Sequence, residues 1–407
     1  MASPLTSRSP KKLLPGILLF SGFFLLYLHL NQIRVASVSF YDQACGADTP
    51  VYVRIVSGAP DSTWWSSRHP LVQVLLVLYS SWYSQMSALL SPLLAQKLPF
   101  ALCGAGCVVL VYALGLLLGG GRLTASALAL FCGCSGSFLF FATTPESGIV
   151  STFFSTAYLC WVQHHRDRTT WGSIAGAILL YCCAVLSDIL CAALVVIPLA
   201  HAMQLRKRSV LVATRHVLAG FLGLALAYTM LEGLFLLRGE NLWAYYSMFT
   251  AKNYYCRLVT DRPLQCLFLG LLVQPLALPS HTVAFAQPMY HPPYFGYFEP
   301  TITTYGTSLP GTVFLFCLIV GWGFLILRLL RSWDWLSGAY CAMLGGRLCV
   351  LYGVAPHETF LVSAPLLPPL AVILTMPLLH TRGFSGRAVF FLLAVVLAAC
   401  NLPFFIP

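Results

Sequence analysis

The stretch Phe40–Leu71 reads FYDQACGADTPVYVRIVSGAPDSTWWSSRHPL and is the first long polar segment of the 407-residue chain. An apolar run precedes it, and nearly everything after it is apolar as well. Within it lie three acids, two arginines and a tryptophan pair: Asp42, Asp48, Asp61, Arg54, Arg68, Trp64 and Trp65. Ionisable groups beside a hydrocarbon layer are costly and tend to be functional. We therefore expect the chemistry of this protein where this loop meets a bilayer.

The composition around this loop is that of an integral membrane protein. Hydrophobic residues make up 58% of the chain, charged residues only 9%, and the mean hydropathy is +0.81. Soluble domains carry about 25% charged residues. The apolar runs have the length of roughly 17–25 residues at which a helix crosses a hydrocarbon core. They lack the short alternating pattern of membrane β-strands. The sequence predicts an all-α, polytopic helical membrane protein.

Charge and cysteine content fit this class. The net charge of +11 is explained by basic residues in short loops on the inner side, so nucleic acid is not expected as a partner. The 15 cysteines lie mostly in apolar runs, where they act as small hydrophobes, and predict neither a disulfide framework nor a zinc site. No cofactor is predicted, and a divalent metal is not indicated. Lys11 and Lys12 precede an apolar run without a cleavage site, which indicates an uncleaved first span.

The order of apolar runs and basic turns predicts about eleven spans, with the N-terminus inside and the C-terminus outside. We place them at about 13–30, 97–119, 123–141, 148–163, 171–186, 189–203, 214–237, 310–330, 335–353, 358–380 and 387–405. The whole chain, 1–407, is one membrane domain in this interpretation. Its parts are an outer first loop, a transmembrane module, a second outer loop and C-terminal helices, at 31–96, 97–237, 238–309 and 310–405.

Two further segments, 71–95 and 264–280, are long enough to cross. If they did, the charge bias of the loops would be inverted, against the preference for positive charge inside. We favour an interfacial helix on the outer face for 71–95, and a dipping or interfacial element for 264–280. Whether either crosses stays open.

With this topology the acids gather on the outer side: Asp42, Asp48, Asp61, Glu146, Asp188, Glu232 and Glu358. Cations face them there: Arg54, Arg68, Lys252, Arg257, Arg262 and Arg347. Carboxylates opposite arginines suit a reaction that removes a proton and stabilises a phosphate leaving group.

The first loop also resembles a known family. Asp48-x3-Tyr52, then Gly58, then Arg68-His69-Pro70-Leu71 is similar to the first-loop signature of GT-C glycosyltransferases. The resemblance is greatest to the branch of dolichyl-phosphate-mannose protein mannosyltransferases and aminoarabinose transferases. Shorter fragments resemble later parts of that branch in the same order: Lys97–Leu102, Val111–Gly115, Leu139–Glu146 and Phe360–Pro368.

This resemblance implies transfer of a hexose or pentose, with inversion, from a polyprenyl- or dolichyl-phosphate donor to a lipid, glycan or protein acceptor. The reaction would occur on the outer or lumenal face of a bacterial inner membrane or the endoplasmic reticulum. Asp48 would be the base, but the loop is shorter than usual, so Asp42 is a rival. The remaining assignments are donor phosphate (Arg68, Arg54, Arg347), acceptor orientation or support of the base (Glu146) and substrate contact (His69, Tyr52, Asp188, Glu358).

Local chemistry offers other roles for the same residues. Asp48 would serve as a helix N-cap, Glu146 as an acid at the start of a span, and Arg68 as a headgroup anchor. Arg347 would pair with Glu232. Two other functional classes also stay open. A transporter or flippase predicts helices broken in mid-span in matched halves, and a non-catalytic scaffold needs none of these side chains.

Overall fold

The computed structural model describes residues 10–33, 49–58, 69–166, 170–197, 199, 210–237, 241, 363–379 and 384–404, with shorter pieces between 271 and 348. The helices are α1 Pro10–Ile33, α2 Thr49–Val56, α3 Pro70–Leu89, α4 Pro92–Leu117, α5 Arg122–Gly133, α6 Gly136–Thr143, α7 Ser147–His164, α8 Trp171–Ser187, α9 Val210–Leu236, α10 Leu367–Leu379 and α11 Phe384–Asn401. Short 3₁₀-helices are formed by Ile189–Val195, Ala364–Leu366 and Leu402–Phe404.

Among the described residues, three helices are long and apolar enough to cross a membrane: Leu13–Ile33, Pro92–Leu117 and Val210–Leu236. The bent pair α5 and α6 would be a fourth if it forms one span. The predicted helical membrane protein is confirmed at this coarse level. The count of eleven spans stays a prediction, because much of the C-terminal half lies outside the described residues. The α3 helix, predicted as interfacial, is not among the candidate spans.

Helix α4 is central and has neighbours of both directions. It runs antiparallel to α1, because the start of α1 lies beside the end of α4 and the end of α1 beside the start of α4. A Cβ added at Gly16 would lie 3.9 Å from Tyr112, and a Cβ added at Gly104 would lie 3.0 Å from the Tyr27 ring. It runs parallel to α7, because the Cys107 thiol donates to the Ile149 carbonyl and Gln163 near the end of α7 donates to Leu117 at the end of α4. Glycine at 104 is needed for this packing, because a Cβ there would also lie 2.5 Å from Ala142.

Helices α7 and α8 form an antiparallel hairpin, closed by a hydrogen bond of 2.8 Å from Trp161 Nε1 to the Ser173 carbonyl. Helix α9 packs along α8, where the Cys182 thiol donates to the Gly223 carbonyl. Its first turns reach the α7–α8 turn, where His216 Nε2 donates to the Arg166 carbonyl at 3.2 Å.

These directions give the described bundle two ends. One end, called the α3 end below, carries the start of α4, the end of α1 and the end of α8, and α3 packs against both α4 and α8 there. The opposite end, called the histidine end, carries the end of α7 and the start of α9, with His164, His165 and His216.

Proline chemistry explains how α3 is attached. Pro99 lies inside α4 and has no N–H, so the carbonyl of Ala95 loses its partner in the helix. The Tyr79 hydroxyl on α3 donates to that carbonyl at 2.8 Å. The proline therefore creates the acceptor that holds α3 against α4.

The predicted third span, 123–141, is wrong as a single helix. It is divided into α5 and α6, which are bent by 61° relative to each other. The small residues Gly133, Ser135 and Gly136 weaken the helix here. Tertiary bonds then hold the break open: Gly136 N donates to the Leu276 carbonyl at 2.9 Å, and Asn401 Nδ2 donates to the Leu276 and Cys134 carbonyls, each at 2.8 Å.

Beside the helices, the described residues include one short hairpin, in which Val283–Phe285 (β1) pairs antiparallel with Gly296–Phe298 (β2). Two smaller expectations need correction. The predicted span at 189–203 starts as the 3₁₀-helix Ile189–Val195. The first helix continues past residue 30 to Ile33, which brings Asn31 into the packed interior at 0% exposure.

Candidate functional site

The first loop is fastened to the core through His69, the residue before α3. Its Nδ1 lies 2.6 Å from the carbonyl oxygen of Ser187, the last residue of α8. A carbonyl only accepts, so Nδ1 must carry a proton, and in the neutral ring Nε2 is then the acceptor. The predicted substrate residue His69 thus has a defined tautomer and a defined neighbour.

The next residue along the chain, Asp188, forms a buried ion pair with Arg347. Arg347 is 0% exposed, and its Nη2 lies 3.2 Å from Asp188 Oδ2. The other carboxylate oxygen accepts from Leu190 N at 2.9 Å, which orients it. The same Arg347 nitrogen lies 3.7 Å from Cys191 Sγ. The alternative pairing of Arg347 with Glu232 is therefore wrong, because Asp188 occupies that role.

A buried guanidinium at this position is energetically demanding. Taking both charges out of water costs several kcal/mol per ion, which the mutual attraction repays only with good geometry. Such pairs inside membrane proteins are associated with function. His69, Asp188 and Arg347 come from three separate chain segments, and all three were predicted site residues.

Glu146 is buried at the N-cap of α7. Its Oε1 accepts from Ser147 N at 2.8 Å and from Ser147 Oγ at 2.9 Å. The local role expected for this acid, at the start of a helix, is therefore present. A role towards an acceptor substrate stays a prediction.

Glu146 and Asp188 lie at the same depth in the bundle. The α7–α8 hairpin is in register at Trp161 and Ser173. Glu146 lies fifteen residues before Trp161, and Asp188 lies fifteen residues after Ser173. At 1.5 Å of helix per residue, each carboxylate is roughly 22 Å from that contact. Glu146 and Asp188, two of the predicted site residues, therefore lie at the same height along the bundle, at its α3 end.

Tyr52 and Arg54 occupy different surroundings on α2. Tyr52 is 1% exposed, and its ring centroid lies 6.3 Å from that of Phe100 on α4. Arg54 lies on the exposed side of α2. Within the described residues, Asp188 bonds to Leu190 and Arg347 and to neither of these two side chains. Four other predicted residues lie outside the described residues: Asp42, Asp48, Arg68 and Glu358.

The sequence analysis did not predict that Asn31, Cys191 and Lys97 would be buried. Lys97 is 1% exposed. The only signal for Asn31 was a polar residue directly after an apolar run, which looked like the start of a loop. Lys97 was noticed only as part of a family fragment.

The opposite end of the bundle carries a separate basic group. The His165 ring lies 4.7 Å from His164 and 4.6 Å from Trp161, measured between centroids. Burial lowers the pKa of His165, and the positive charges that His164 and His216 can carry lower it further. This end is remote from Asp188. Within the described parts of the chain, no group of three His, Cys, Asp or Glu side chains is arranged to hold a metal ion.

Comparisons with known proteins add little. No protein-family model matches the sequence, and no curated protein matches it. Two crystal structures of the Archaeoglobus fulgidus oligosaccharyltransferase are similar in shape. The apo form has 14% identity and a TM-score of 0.47. The form tethered by a disulfide bond to an acceptor peptide with the NVT sequon has 13% identity and a TM-score of 0.45.

Each alignment covers 95% of this chain and 55% of the other, so this chain spans about half the length of that enzyme. Neither structure is a protein mannosyltransferase or an aminoarabinose transferase. Likeness at this TM-score carries no weight for activity or for site residues.

Proposed function

We propose that the protein is a GT-C-type membrane glycosyltransferase that takes its sugar from a polyprenyl- or dolichyl-phosphate donor. The observation that supports this proposal is a chain of contacts from His69 to Arg347. His69 belongs to the first-loop signature on which the family resemblance rests, and it bonds to the carbonyl of Ser187. The residue after Ser187 is Asp188, which forms the buried ion pair with Arg347.

Arg347 would stabilise the phosphate that leaves the sugar. A guanidinium can give two parallel bonds to phosphate oxygens, and in a site of low dielectric each charge interaction is stronger than in water. Asp188 would keep the guanidinium oriented before the donor arrives. Arg68, directly before His69 in the sequence, and Arg54 would add positive charge from the first loop.

Asp48, with Asp42 as its rival, would act as the base. The acceptor hydroxyl gives its proton to the carboxylate while its oxygen bonds to the anomeric carbon from the face opposite the phosphate. The bond from that carbon to the phosphate oxygen breaks, and the phosphate leaves with the electron pair. Asp48 directly precedes Thr49, the first residue of α2. Glu146, Tyr52 and Glu358 would contact the acceptor or the sugar.

The test compares three acids of the same loop. The variants Asp48→Asn, Asp42→Asn and Asp61→Asn of the full chain are reconstituted in nanodiscs and assayed with polyprenyl- and dolichyl-phosphate sugars. General-base catalysis contributes about 10²–10⁴-fold, so we expect Asp48→Asn to lose at least about 100-fold in rate. Asp61→Asn is the matched control and should keep the wild-type rate. Loss in Asp42→Asn alone would move the base to Asp42, and full activity in all three variants would refute the mechanism.

A second candidate function, transport of a lipid-linked sugar, is favoured by the broken helix formed by α5 and α6. Transporters place such breaks at their substrate sites. Among the described helices this is one pair, without a matched second half. Movement of a labelled lipid-phosphate sugar across proteoliposome membranes by Asp48→Asn, at the wild-type rate and without transfer, would favour transport over the enzyme.

A further inference from the structure

The end of helix α8 is capped by a side chain from the first loop. The last carbonyl groups of an α-helix have no partner within the helix and need one from elsewhere. Helix α8 ends at Ser187, and its carbonyl oxygen lies 2.6 Å from Nδ1 of His69, 118 positions earlier in the chain. The imidazole of the residue before α3 therefore donates to the end of α8.

This hydrogen bond fixes the peptide group that leads to the buried ion pair. The carbonyl of that group belongs to Ser187, and its N–H belongs to Asp188 and donates to the Ala184 carbonyl at 3.0 Å. Both ends of one planar unit are thus held. The Asp188 carboxylate that follows forms the ion pair with Arg347 at 3.2 Å. The orientation of Arg347 therefore depends, through Asp188, on the peptide group that His69 holds.

A second contact holds the same part of the first loop at another helix. Pro70, directly after His69, is the first residue of α3. On that helix, the Tyr79 hydroxyl donates to the Ala95 carbonyl of α4 at 2.8 Å. The end of the first loop is therefore anchored to α4 by Tyr79 and to α8 by His69. Arg68, which the family resemblance assigns to the donor phosphate, directly precedes this anchor in the sequence.

We propose that His69 is a positioning residue for the sugar transfer, and that it acts through its Nδ1 bond to the Ser187 carbonyl instead of through contact with substrate. Such a role rests on the proposed function, because it holds the first loop and Arg347 in place relative to each other. An error of about 1 Å in the position of a group at the reacting centre can cost roughly 100-fold in rate. No proton transfer by His69 is required, since Nδ1 donates in the protonated ring as well.

Two amide side chains separate the contributions of the two ring nitrogens. Asparagine carries its amide on Cγ, the atom that bears Nδ1 in histidine, so His69→Asn can still donate to the Ser187 carbonyl. Glutamine places its amide one bond further from the backbone, near the position of Nε2. His69→Gln therefore keeps a polar group there and loses the bond to Ser187. His29→Asn and His29→Gln are the matched controls, at an exposed histidine of α1.

The experiment uses full chains in nanodiscs and measures transfer from polyprenyl- and dolichyl-phosphate sugars per folded protein. We expect kcat of His69→Gln to fall at least about tenfold, because Arg347 and the first loop lose their alignment. His69→Asn should stay within about threefold of wild type, which is less than the effect of one ordinary hydrogen bond. KM for the donor should change less than kcat, since its contacts outside the reacting centre are retained. Both His29 variants should keep the wild-type rate.

A spectroscopic measurement on the protein without donor does not depend on turnover. The chain has ten histidines, and in solid-state NMR of ¹⁵N-histidine-labelled protein the His69 signal is assigned by its loss in His69→Asn. At neutral pH this ring should carry its proton on Nδ1, because the Ser187 carbonyl only accepts.

Equal rates in His69→Asn and His69→Gln, whether lowered or not, overturn the positioning role. A larger loss in His69→Asn also overturns it and assigns the function of the ring to Nε2. An unprotonated Nδ1 does the same, because the bond to Ser187 then does not exist. All three results leave the proposed function intact as long as wild type transfers sugar. Absence of transfer by wild type with every donor refutes the proposed function, and the role of His69 with it.

Discussion

The Arg347 guanidinium is fully buried, and it forms an ion pair with the Asp188 carboxylate at 3.2 Å. Removing one member of such a pair leaves the other as an isolated buried charge, which costs about 3–5 kcal/mol. Removing both costs much less, because no charge then remains in the interior. The effects of the two substitutions on the free energy of unfolding are therefore coupled and do not add.

We therefore predict that Arg347→Met and Asp188→Asn each lower the free energy of unfolding by about 3–5 kcal/mol, and that the double variant is more stable than either. Denaturant unfolding of the full chain in micelles measures this. Arg122→Met, which changes an exposed arginine at the histidine end, is the control and should differ from wild type by less than about 0.5 kcal/mol. Additive losses in the double variant would show that the two charges are not coupled.

The sequence predicted Arg347 and Asp188 as site residues because ionisable groups are rare in an apolar chain, and His69 because it belongs to the first-loop signature of the family resemblance. It could not predict their partners. Asp188 and Arg347 are 159 positions apart, and only the packed helices bring them together. The Arg347–Glu232 pairing seemed equally good from topology alone. Asn31 was not noticed, because burial of a residue next to a loop depends on how far the helix continues.

At the level of elements, the α3–α4 pair depends on one proline. Pro99 leaves the Ala95 carbonyl without a helical partner, and Tyr79 supplies the missing hydrogen. Tyr79→Phe should therefore lower the free energy of unfolding by about 1 kcal/mol or more. In a Pro99→Ala background the restored N–H can bond to Ala95, so the same tyrosine change should cost measurably less.

This double-mutant cycle is read from denaturant unfolding, with Tyr83→Phe as the matched control. The Tyr83 hydroxyl donates to the Pro92 carbonyl at 3.5 Å and accepts from Gln96 Nε2 at 3.3 Å. Both bonds are long, so their loss should cost less than that of the 2.8 Å bond of Tyr79. Equal effects of Tyr79→Phe with and without Pro99 would show that the proline is not the reason for the contact.

Hydrophobic run lengths predicted the existence of the helices well: 148–163 and 171–186 match α7 and α8 within one residue at each end. They could not predict the bend in 123–141. Glycine and serine weaken a helix there, but the break is completed by Leu276 and Asn401, which are distant in the sequence. Tertiary hydrogen bonds of this kind leave no trace in local periodicity.

For the molecule as a whole, the described exposed basic residues are more frequent at the histidine end, as the predicted topology expects. The histidine end carries Arg122, His164 and Arg166. Of the described residues, the α3 end carries one exposed arginine, Arg54, and its acids Glu146 and Asp188 are buried, as are the cations Lys97 and Arg347. Positive charge is retained on the cytoplasmic side of membrane proteins. The α3 end should therefore face outward, where the first loop and the proposed donor site would lie together.

Cysteine labelling of intact cells tests this sidedness. Gln85→Cys places an exposed thiol on α3, and His164→Cys places one at the histidine end. A membrane-impermeant maleimide should label Gln85→Cys in intact cells, and His164→Cys only after permeabilisation, because the bilayer separates the two ends. The wild-type chain gives the background from its own cysteines. If both positions are labelled from the same side, the α3 end and the histidine end do not face opposite sides of the membrane. The proposed transfer would then lose its basis, because it requires the α3 end alone to face outward.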